Sequence, residues 1–278
     1  MVREPSLYEV MVTAISHELK DFENWFMGMA TGEETILLLS RIPLVSMSLA
    51  QHTHAPNSFI LVAGWILNPV VSEIPTALES EFGTTLLDWR CEARAGMVPH
   101  LSPYSPDRGE VDVGFASAVQ IDKYGNCNSV CVGDYHRPKV RLVGPIFQPG
   151  HFSLFGREII VVSHEKRNFV DRVDFISGAG YLDGPGARER LGLPGGGPCL
   201  IVTDKAIFDF DPRTKLARLK SLHPGVNLDY IKKNTGFTHN YIPDRIIETP
   251  LPSEEEIKII RETIDPRGIL LPLNPYNA

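Results

Sequence analysis

The chain has 278 residues, a mass of 30.9 kDa and a net charge of −7, and 43% of its residues are apolar against 22% charged. This composition excludes a disordered chain, and the lack of a long basic run argues against a nucleic-acid partner. Acidic residues crowd the first thirty positions, where a targeting presequence has few, and no apolar run reaches the roughly 20 residues of a membrane span. We therefore expect a soluble, cytoplasmic protein with a single domain over 1–278.

The N-terminal segment carries a strong helix signal. Ser6 and Glu9 fit a capping box, in which each side chain binds the backbone N–H of the other residue. Apolar residues recur at helical spacing from Leu7 to Phe26. A first helix that ends at Gly28 or Gly32 is therefore expected.

Later segments alternate between strand and helix patterns. The apolar run 35–39 predicts a strand, the amphipathic stretch 43–54 a helix, and the wholly apolar 59–62 a parallel strand covered on both faces. Further strands are predicted at 116–121, 159–163, 174–177, 199–203 and 206–210. A late helix begins at a Ser253–Glu256 capping box and ends before Pro266. Short buried strands separated by helices predict an α/β fold.

The stretch 68–106 contains five prolines and is predicted to be irregular. A long loop inside a compact domain usually serves a function or contacts a partner. Trp65, Phe82 and Trp89 lie within or beside it, and aromatic side chains are frequent interface anchors. We therefore expect this stretch to contact another chain.

Neither cysteine nor histidine spacing predicts a metal site. Cys127 and Cys131 have no second pair at zinc spacing, so all four cysteines are expected to be free, buried thiols. His52 and His54 could ligate one ion from an extended chain, but no carboxylate or third histidine lies nearby in the sequence. The glycine-rich segment 178–197 is interrupted by prolines, which favours a structural loop over a phosphate cradle.

Two polar segments are unusual. The first follows a strand at Gln120 and continues to Arg137, and the Gly125-Asn126 turn accounts for only part of its polar residues. The second, 164–169, is charged and directly follows a buried strand. Residue types alone favour a solvated helix start for this second segment.

Both segments resemble the β subunit of glutaconate CoA-transferase, a family I CoA-transferase, and the resemblance extends from residue 7 over nearly the whole chain. The matching strings are Gln-Ile-Asp-x-Tyr-Gly-Asn-x-Asn (120–128), Gly-Asp-Tyr-His-x-Pro-Lys (133–139), His-Glu-Lys-Arg-x-Phe (164–169), Asp-Gly-Pro-Gly-x-Arg-Glu-Arg-Leu-Gly-Leu-Pro (183–194), Val-Thr-Asp-Lys (202–205), Asn-Thr-Gly-Phe (234–237) and Ile-Asp-Pro (264–266).

The resemblance implies an open α/β fold of the CoA-transferase (NagB/RpiA-like) type, with a mostly parallel central sheet flanked by helices. It implies a homologous α subunit as the obligate partner, in an αβ or α2β2 heteromer. Coenzyme A thioesters are the implied substrates, and no permanently bound cofactor is expected.

The same resemblance points to a missing nucleophile. In that family a glutamate of the β subunit, at the end of the strand after an Ala-Pro pair, attacks the acyl-CoA carbonyl. Here Ala55-Pro56 precedes the strand 59–62 and the matching position is Ala63, whose methyl group cannot attack a carbonyl. The glycine-rich turn that the family carries after Arg141–Gly144 is also replaced by bulky residues up to Gly150. The catalytic base is therefore expected from the α subunit.

The resemblance implies a set of residues that contact the acyl-CoA substrate. These are Ala63, Gly64, Asn126, Asn128, Asp134, His136 and Gly144.

Branches of the family that lack the glutamate imply a subunit that hydrolyses or cleaves a C–C bond of an acyl-CoA. Segments 222–226 and 260–266 also look like the β subunit of steroid ring-opening hydrolases. One alternative is a genuine CoA-transferase of the glutaconate or 3-oxoacid type with a displaced nucleophile at Glu73. The others are an acyl-CoA decarboxylase and a non-catalytic scaffold subunit.

Overall fold

The computed structural model describes residues 4–28, 33–63, 66–74, 89–94, 111–145 and 147–272. The chain divides into two compact units: unit 1 comprises Met1–Phe115 with Pro250–Ala278, and unit 2 comprises Ala116–Thr249. The single domain over 1–278 stays a prediction.

The described residues form helices and strands in mixed order, with runs of consecutive strands between residues 91 and 141 and between residues 198 and 222. The helices are α1 (Leu7–Ser16), α2 (Glu33–Ile36), α3 (Ile42–Thr53), α4 (Gln148–Leu154), α5 (Ala187–Arg190), α6 (Leu228–Asn234) and α7 (Glu254–Lys258). A π-helical segment (Leu37–Arg41) joins α2 to α3, a second one (Ile259–Ile264) continues α7, and Val71–Glu73 forms a 3₁₀ turn. The strands are β1 (Asn24–Met27), β2 (Phe59–Val62), β3 (Ile66–Pro69), β4 (Cys91–Arg94), β5 (Val113–Ala116), β6 (Gln120–Ile121), β7 (Cys127–Asn128), β8 (Cys131–Val132), β9 (Val140–Arg141), β10 (Arg157–Val162), β11 (Pro198–Thr203), β12 (Ala206–Phe210) and β13 (Ala217–Leu222).

Unit 1 packs its helices against strands in the order β5-β1-β2-β3-β4. β1 pairs in parallel with both β2 and β5, and β3 and β4 extend the sheet in antiparallel pairings. Helix α3 contacts β1, β2 and α1, and it is buried on all sides from Ile42 to Ala50. Because other elements cover α3 on all sides, this helix needs no polar face.

Unit 2 is built on the parallel pair β10 and β11, which β12 and β13 extend in antiparallel pairings. Two small antiparallel pairs, β6 with β7 and β8 with β9, lie outside this sheet. Phe152, Phe169 and Phe208 are fully buried in the core of the unit. The predicted α/β fold is confirmed, with helices against parallel strands in each unit.

The first helix is shorter than predicted. It ends at Ser16, and Phe26 belongs to strand β1 instead. Phe22 has a left-handed backbone (φ 64°) and is 78% exposed, so the chain turns there rather than continuing a helix. Beyond Ser16, the apolar residues belong to a turn and to strand β1, and their helical spacing does not correspond to a helix.

Three strand predictions fail. Residues 35–39 are helical, because their apolar run continues into the buried α3 and short apolar runs do not distinguish helix from strand. Residues 174–177 form no strand, since the Asp174 and Ser177 side chains bind neighbouring loop backbone instead. The strand 116–121 is interrupted between β5 and β6.

Other expectations are confirmed or corrected by burial. The strand 59–62 forms as β2, but Phe59 is 41% exposed, so β2 is not covered on both faces along its whole length. The strands at 159–163, 199–203 and 206–210 and the late helix are confirmed, whereas β13 was not predicted. All four cysteines lie in the described residues and none forms a disulfide bond. Cys127 and Cys131 are buried, but Cys91 and Cys199 are only partly buried, so the predicted burial is wrong for those two.

The stretch 68–106 is not wholly irregular, because it contains the end of β3, a 3₁₀ turn and β4. Trp89 is fully buried in its own chain and donates its indole N–H to the Val70 carbonyl oxygen at 3.1 Å. Its predicted role as an exposed interface anchor is therefore wrong. Trp65 and Phe82 lie outside the described residues.

A buried ion pair joins the two ends of unit 1. The Glu9 carboxylate accepts hydrogen bonds from the Arg261 guanidinium at 2.7 and 2.8 Å and from the Ser6 backbone N–H at 2.6 Å. Its side chain is fully buried, while that of Arg261 is 20% exposed. These hydrogen bonds raise the pKa of Arg261. The capping box of α1 is thereby tied to the π-helical segment that follows α7.

We expect Arg261→Met to lower the free energy of unfolding by about 2–4 kcal/mol, because it leaves the Glu9 carboxylate buried without its cation. The matched control is Arg218→Met, whose pair with Asp209 is 47% and 25% exposed and should be worth at most about 1 kcal/mol. Urea unfolding of both variants measures the difference. Equal losses of unfolding free energy in the two variants would contradict a larger contribution from the buried Glu9–Arg261 pair.

Candidate functional site

Ala63 lies directly after β2 at the carboxyl edge of the parallel strands of unit 1. Its backbone N–H donates to the carbonyl oxygen of Met27, the last residue of β1, at 2.8 Å. Met27 pairs with Val62 of β2 and with Phe115 of β5, so the three strands end at the same level. In open α/β sheets, ligands bind outside the carboxyl ends of the strands. The position that sequence resemblance assigned to the reacting centre is thus at the edge where a ligand is expected.

The backbone of Ala63 has a left-handed conformation. Its φ is 51°, which is uncommon for a residue with a Cβ, and Val62 pairs with Ile66, so Ala63 begins the connection of a β-hairpin. Such conformations concentrate at tight turns and functional sites. Gly64, the second predicted site residue here, lies outside the described residues.

Glu73, the candidate for a displaced nucleophile, lies beyond the other end of this hairpin. β3 runs antiparallel to β2 and carries the chain from Ile66 back to Pro69, a distance of about 10 Å at the usual rise per residue. Glu73 follows in the 3₁₀ turn and forms an ion pair with Arg90 at 2.9 Å. It is therefore at the amino end of β2 and not at the edge where Ala63 lies.

In unit 2, Asn126 organises the turn between β6 and β7. Its amide oxygen accepts from the Leu182 N–H at 3.0 Å, and its amide nitrogen donates to the Leu182 carbonyl at 2.9 Å and to Asp122 at 3.0 Å. Asp122 also accepts from the backbone N–H of Tyr124 and Asn126, and burial raises its pKa. The tight turn predicted at Gly125 is confirmed, with φ 69°. The Asn126 side chain holds two loops together.

Asn128 is fully buried and connects three segments of unit 2. Its oxygen accepts from the backbone N–H of Val130 and Cys131, and its nitrogen donates to Gln120 at 2.7 Å. The Gln120 amide in turn donates to Asp174 at 2.9 Å. Substrate binding by Asn126 and Asn128 stays a prediction, and in this chain both amides have hydrogen-bond partners within their own unit.

Asp134 and His136 lie on the exposed connection between β8 and β9. One oxygen of Asp134 accepts from the backbone N–H of His136 at 2.9 Å and of Arg137 at 3.0 Å, which fixes the turn. The His136 ring packs edge-on against Tyr135. Both side chains are exposed, and their predicted contact with a substrate stays a prediction.

Gly144 precedes the start of helix α4. It has a left-handed backbone (φ 94°) with open space around its Cα, and its N–H donates to the Ser129 carbonyl at 3.1 Å. Helix α4 begins shortly after it, at Gln148, and Gln148 binds Ser117 and Ser177 through its amide. The bulky residues that follow Gly144 therefore lead into a short helix.

The second polar segment is not a solvated helix start. His164 is 1% exposed, and its ring stacks on Phe169 with centroids 4.4 Å apart. Its Nδ1 faces the Thr203 hydroxyl at 3.2 Å, and its Nε2 faces the Thr235 hydroxyl at 3.1 Å. Both ring nitrogens therefore have a threonine hydroxyl as partner inside the core. Burial, with Lys205 and His223 nearby, lowers the pKa of His164 to about 3.

His223 is held in the same way on the other side of Thr203. Its Nε2–H donates to the Thr203 carbonyl at 2.8 Å, and its Nδ1 accepts from the Thr249 hydroxyl at 3.0 Å. Burial lowers its pKa to about 4. Both rings are neutral parts of the core, which sequence reasoning missed because their threonine partners are distant in sequence.

Arg188 organises the glycine-rich segment 178–197. Its guanidinium donates to backbone carbonyls at distances from 2.5 to 3.1 Å, and these belong to Phe152, Ala179, Gly180 and Gly195. The segment 178–197 therefore forms the structural loop that its sequence predicts. The same cation lies near Glu158, a fully buried carboxyl with no hydrogen-bond partner among the described residues, whose pKa burial raises well above its usual range.

Within the described residues, no group of three histidine, cysteine or acidic side chains is arranged to hold a metal ion. His52 binds the Ser48 carbonyl at 2.8 Å, and His54 binds the Leu19 carbonyl at 3.1 Å. Across the same residues, no helix is both long and apolar enough to cross a membrane.

Comparison with known proteins identifies the family. The family model for coenzyme A transferase matches residues 33–234. The β subunit of glutaconate CoA-transferase from Acidaminococcus fermentans is 36% identical over 234 residues, which cover 81% of this chain and 84% of that protein. The β subunit of 3-oxoadipate CoA-transferase from Pseudomonas knackmussii is 31% identical over 258 residues, or 92% of each chain. The IpdB subunit of the cholesterol ring-cleaving hydrolase from Rhodococcus jostii is 33% identical over 154 residues, which cover 55% of this chain and 59% of that protein.

Solved structures agree with these relatives. Glutaconate coenzyme A-transferase from Acidaminococcus fermentans matches with a TM-score of 0.75 and 31% identity, covering 96% of this chain and 98% of that one. IpdAB of Rhodococcus jostii matches at 0.72 and 26% identity with the same coverage. The decarboxylase AibA/AibB, at 0.74 and 23% identity over 95% of this chain and 97% of that one, shares the fold. The chain belongs to the coenzyme A transferase family, as the resemblance of its motifs predicted.

The buried histidines predict a loss of stability in acid. Their pKa values of about 3 and about 4 lie below the ordinary 6.5, so the unfolded chain binds more protons below pH 6.5 and stability falls as the pH drops. Each histidine should contribute up to about 1.4 kcal/mol per pH unit. The free energy of unfolding is measured in urea between pH 7.5 and 4.5. Below pH 6.5 it should fall less steeply with pH in His223→Gln than in the unsubstituted chain, whereas above pH 7 the two pH dependences should be parallel. The same pH dependence in both proteins over the whole range would contradict a neutral His223 in the folded chain.

Proposed function

We propose that this member of the coenzyme A transferase family is the β subunit of a heteromeric enzyme that hydrolyses or cleaves a C–C bond of an acyl-CoA. The substrate is a coenzyme A thioester, and no permanently bound cofactor is required. The observation that carries the proposal is Ala63 at the carboxyl edge of β5, β1 and β2. A methyl group there offers no lone pair, so a covalent thioester intermediate cannot form at that position.

Among the described residues, no proton-transfer group stands at the ends of these strands. The residues there are apolar or glycine, namely Met27, Gly28, Val62, Ala63, Phe115 and Ala116. Activation of water needs a general base within hydrogen-bond reach of it. We therefore assign the base to a homologous α subunit, in line with relatives that are themselves β subunits or two-protein enzymes.

The proposed reaction requires water, a general base and groups that stabilise the negative charge of an enolate. Water adds to a ketone carbonyl of the acyl group, the adjacent C–C bond breaks, and the electron pair is held as an enolate until it is protonated. Such a reaction needs no acyl transfer to the protein. The name of the IpdB relative, part of a ring-cleaving hydrolase, supports this class of reaction.

The second candidate is a genuine CoA-transferase. It is favoured by the higher identity to the glutaconate enzyme over a larger share of the chain. It requires a carboxylate nucleophile, and Glu73 is separated from the Ala63 edge by the length of β3 and is paired with Arg90. We rank it second for that reason.

The experiment that tests the proposal is a product assay on the chain reconstituted with its α subunit. Glutaconyl-CoA and 3-oxoadipyl-CoA serve as probes because the relatives named for these acyl groups share most of the chain. Each is incubated with and without isotopically labelled acetate as the acceptor of coenzyme A, beside cyclic ketone acyl-CoA thioesters. A shortened or ring-opened acyl chain supports C–C cleavage. Acetyl-CoA that carries the label of the added acetate identifies a transferase, because hydrolytic cleavage of 3-oxoadipyl-CoA releases unlabelled acetyl-CoA. Loss of carbon dioxide identifies a decarboxylase, and no turnover of any probe favours a scaffold.

We predict no covalent adduct between this chain and coenzyme A. After incubation with acyl-CoA and borohydride reduction, the intact mass should be unchanged, because position 63 has no carboxylate. A glutaconate CoA-transferase treated in parallel is the positive control. A stable adduct on Glu73, Glu79 or Glu81 would establish the displaced nucleophile instead.

Ala63→Glu should lower native turnover by tenfold or more, since a carboxylate beside an oxyanionic transition state costs on the order of 1–4 kcal/mol. Faint transferase activity is the most it should gain, because burial favours the protonated, weakly nucleophilic form. Ala63→Gln controls for bulk without charge, and Ala63→Gly, which suits the left-handed backbone, controls for folding. Full native turnover in Ala63→Glu would show that position 63 does not line the reacting centre.

A further inference from the structure

Asn68, near the end of β3, lies between two neighbouring strands of unit 1. Continuing the observed registers places it opposite Ile60 of β2 on one side and Glu92 of β4 on the other, although neither pair belongs to the strand registers themselves. The Asn68 backbone is left-handed, with φ 45°, a conformation that asparagine adopts more readily than most residues with a Cβ. The regular backbone pairing of the sheet is therefore interrupted at this residue.

The Asn68 side chain connects the two neighbouring strands. Its amide oxygen accepts from the backbone N–H of Ile60 at 2.9 Å, and its amide nitrogen donates to the Glu92 carboxylate at 2.6 Å. The orientation of the amide is fixed, because an N–H group can only donate and a carboxylate can only accept. Ile60 is fully buried, so the Asn68 oxygen satisfies an N–H group that water does not reach.

Helix α3 binds the same amide. The Gln51 side chain of α3 donates to the Asn68 oxygen at 3.2 Å and to the Ser58 carbonyl, just before β2, at 2.8 Å. The Ser58 hydroxyl in turn donates to the Lys20 carbonyl at 3.0 Å. The Asn68 side chain therefore connects β3 to α3, β2 and β4, and the position of β2 depends on a side chain as well as on backbone pairing.

Ala63 directly follows the strand that Asn68 holds. The Ala63 N–H donates to the Met27 carbonyl, at the end of β1, at 2.8 Å, whereas the Ile60 N–H, on the opposite edge of β2, donates to Asn68. β2 is thus held by β1 on one side and by the Asn68 amide on the other. Such support matters at a reacting centre, because a misplacement of about 1 Å can cost on the order of 100-fold in rate.

We propose that Asn68 is a positioning residue for the reacting edge of unit 1. Through its hydrogen bond to Ile60 it sets where residue 63 lies at the carboxyl edge of the strands, and it acts on the reaction only through β2. The proposal rests on the proposed function for the location of the reacting centre. It extends that function from position 63 to the side chain that supports it.

The first test is kinetic and uses the chain reconstituted with its α subunit. Asn68→Asp places a carboxylate against Glu92 and should lower kcat about tenfold while KM changes by less than about twofold. Asn68→Gly suits the left-handed backbone and removes the amide without adding charge, so it should give a similar loss. In the double variant Asn68→Asp with Glu92→Gln, the glutamine amide donates to the new carboxylate, and kcat should return to within about twofold of the unsubstituted value.

Asn57→Asp is the matched control. The Asn57 amide donates to the Asp21 carboxylate at 2.8 Å before β2 begins, so this substitution brings two carboxylates together at the opposite end of the strand. It should leave kcat and KM unchanged, and circular dichroism verifies the folding of each variant. An equal loss of kcat in Asn57→Asp would overturn the proposal. A loss in the Asn68 variants that is confined to KM, or a double variant that does not recover, would do the same.

A second measurement follows the position of residue 63 without any reaction. In an Ala63→Cys background, iodoacetamide labelling is resolved by peptide mass spectrometry. Labelling at position 63 should be at least about threefold faster after Asn68→Asp, and Glu92→Gln should reverse the change. Cys199, which is partly buried in unit 2, is the internal reference and should keep its labelling rate. An unchanged rate at position 63 would contradict the proposed role of Asn68.

The two measurements separate this inference from the proposed function. If the complex turns over no probe, or transfers coenzyme A instead of cleaving a C–C bond, the proposed function fails, and the labelling rates still decide whether Asn68 positions residue 63. If the complex cleaves a C–C bond and both Asn68 variants keep the kcat of the unsubstituted complex, this inference alone fails.

Discussion

The parallel register between β1 and β2 is the constraint on which the chemistry of unit 1 depends. Asn24 pairs with Phe59 and Met27 with Val62, and the Ala63 N–H continues the pairing to the Met27 carbonyl. This register leaves residue 63 at the carboxyl edge, where open α/β sheets bind ligands. In the proposed function the side chain at this position faces the ligand, and a methyl group there in place of a carboxylate is expected to change the reaction more than the fold.

In unit 2, side chains of a long motif match take part in the hydrogen-bond network of the unit itself. Asn126 and Asn128 lie in the most distinctive string of the sequence, yet both amides bind backbone and side chains of their own unit. Their fixed network positions the hairpin that carries Tyr135 and Arg137, which do face solvent. Buried polar groups need such partners, because an unsatisfied one costs about 1–3 kcal/mol.

The sequence predicted correctly those features that depend on residues close together in the chain. The capping boxes at Ser6 and Ser253 depend on residues three positions apart, and both form. The environment of His164 could not be predicted, since its hydrogen-bond partners Thr203 and Thr235 lie 39 and 71 residues away. The end of α1 at Ser16 and the turn at Phe22 likewise have no signal in the apolar spacing. Ala63 was located by resemblance, while its place at the strand edge required the sheet register.

The most direct test of the role of position 63 is a crystal structure of the chain with its α subunit and a slowly reacting acyl-CoA analogue. The thioester carbonyl carbon should contact the Ala63 methyl group at about 4 Å, the ordinary van der Waals distance. The carboxylate nearest the reacting carbon should belong to the α subunit. A thioester bound away from the ends of β1 and β2, or beside a glutamate of this chain, would contradict the proposed reaction.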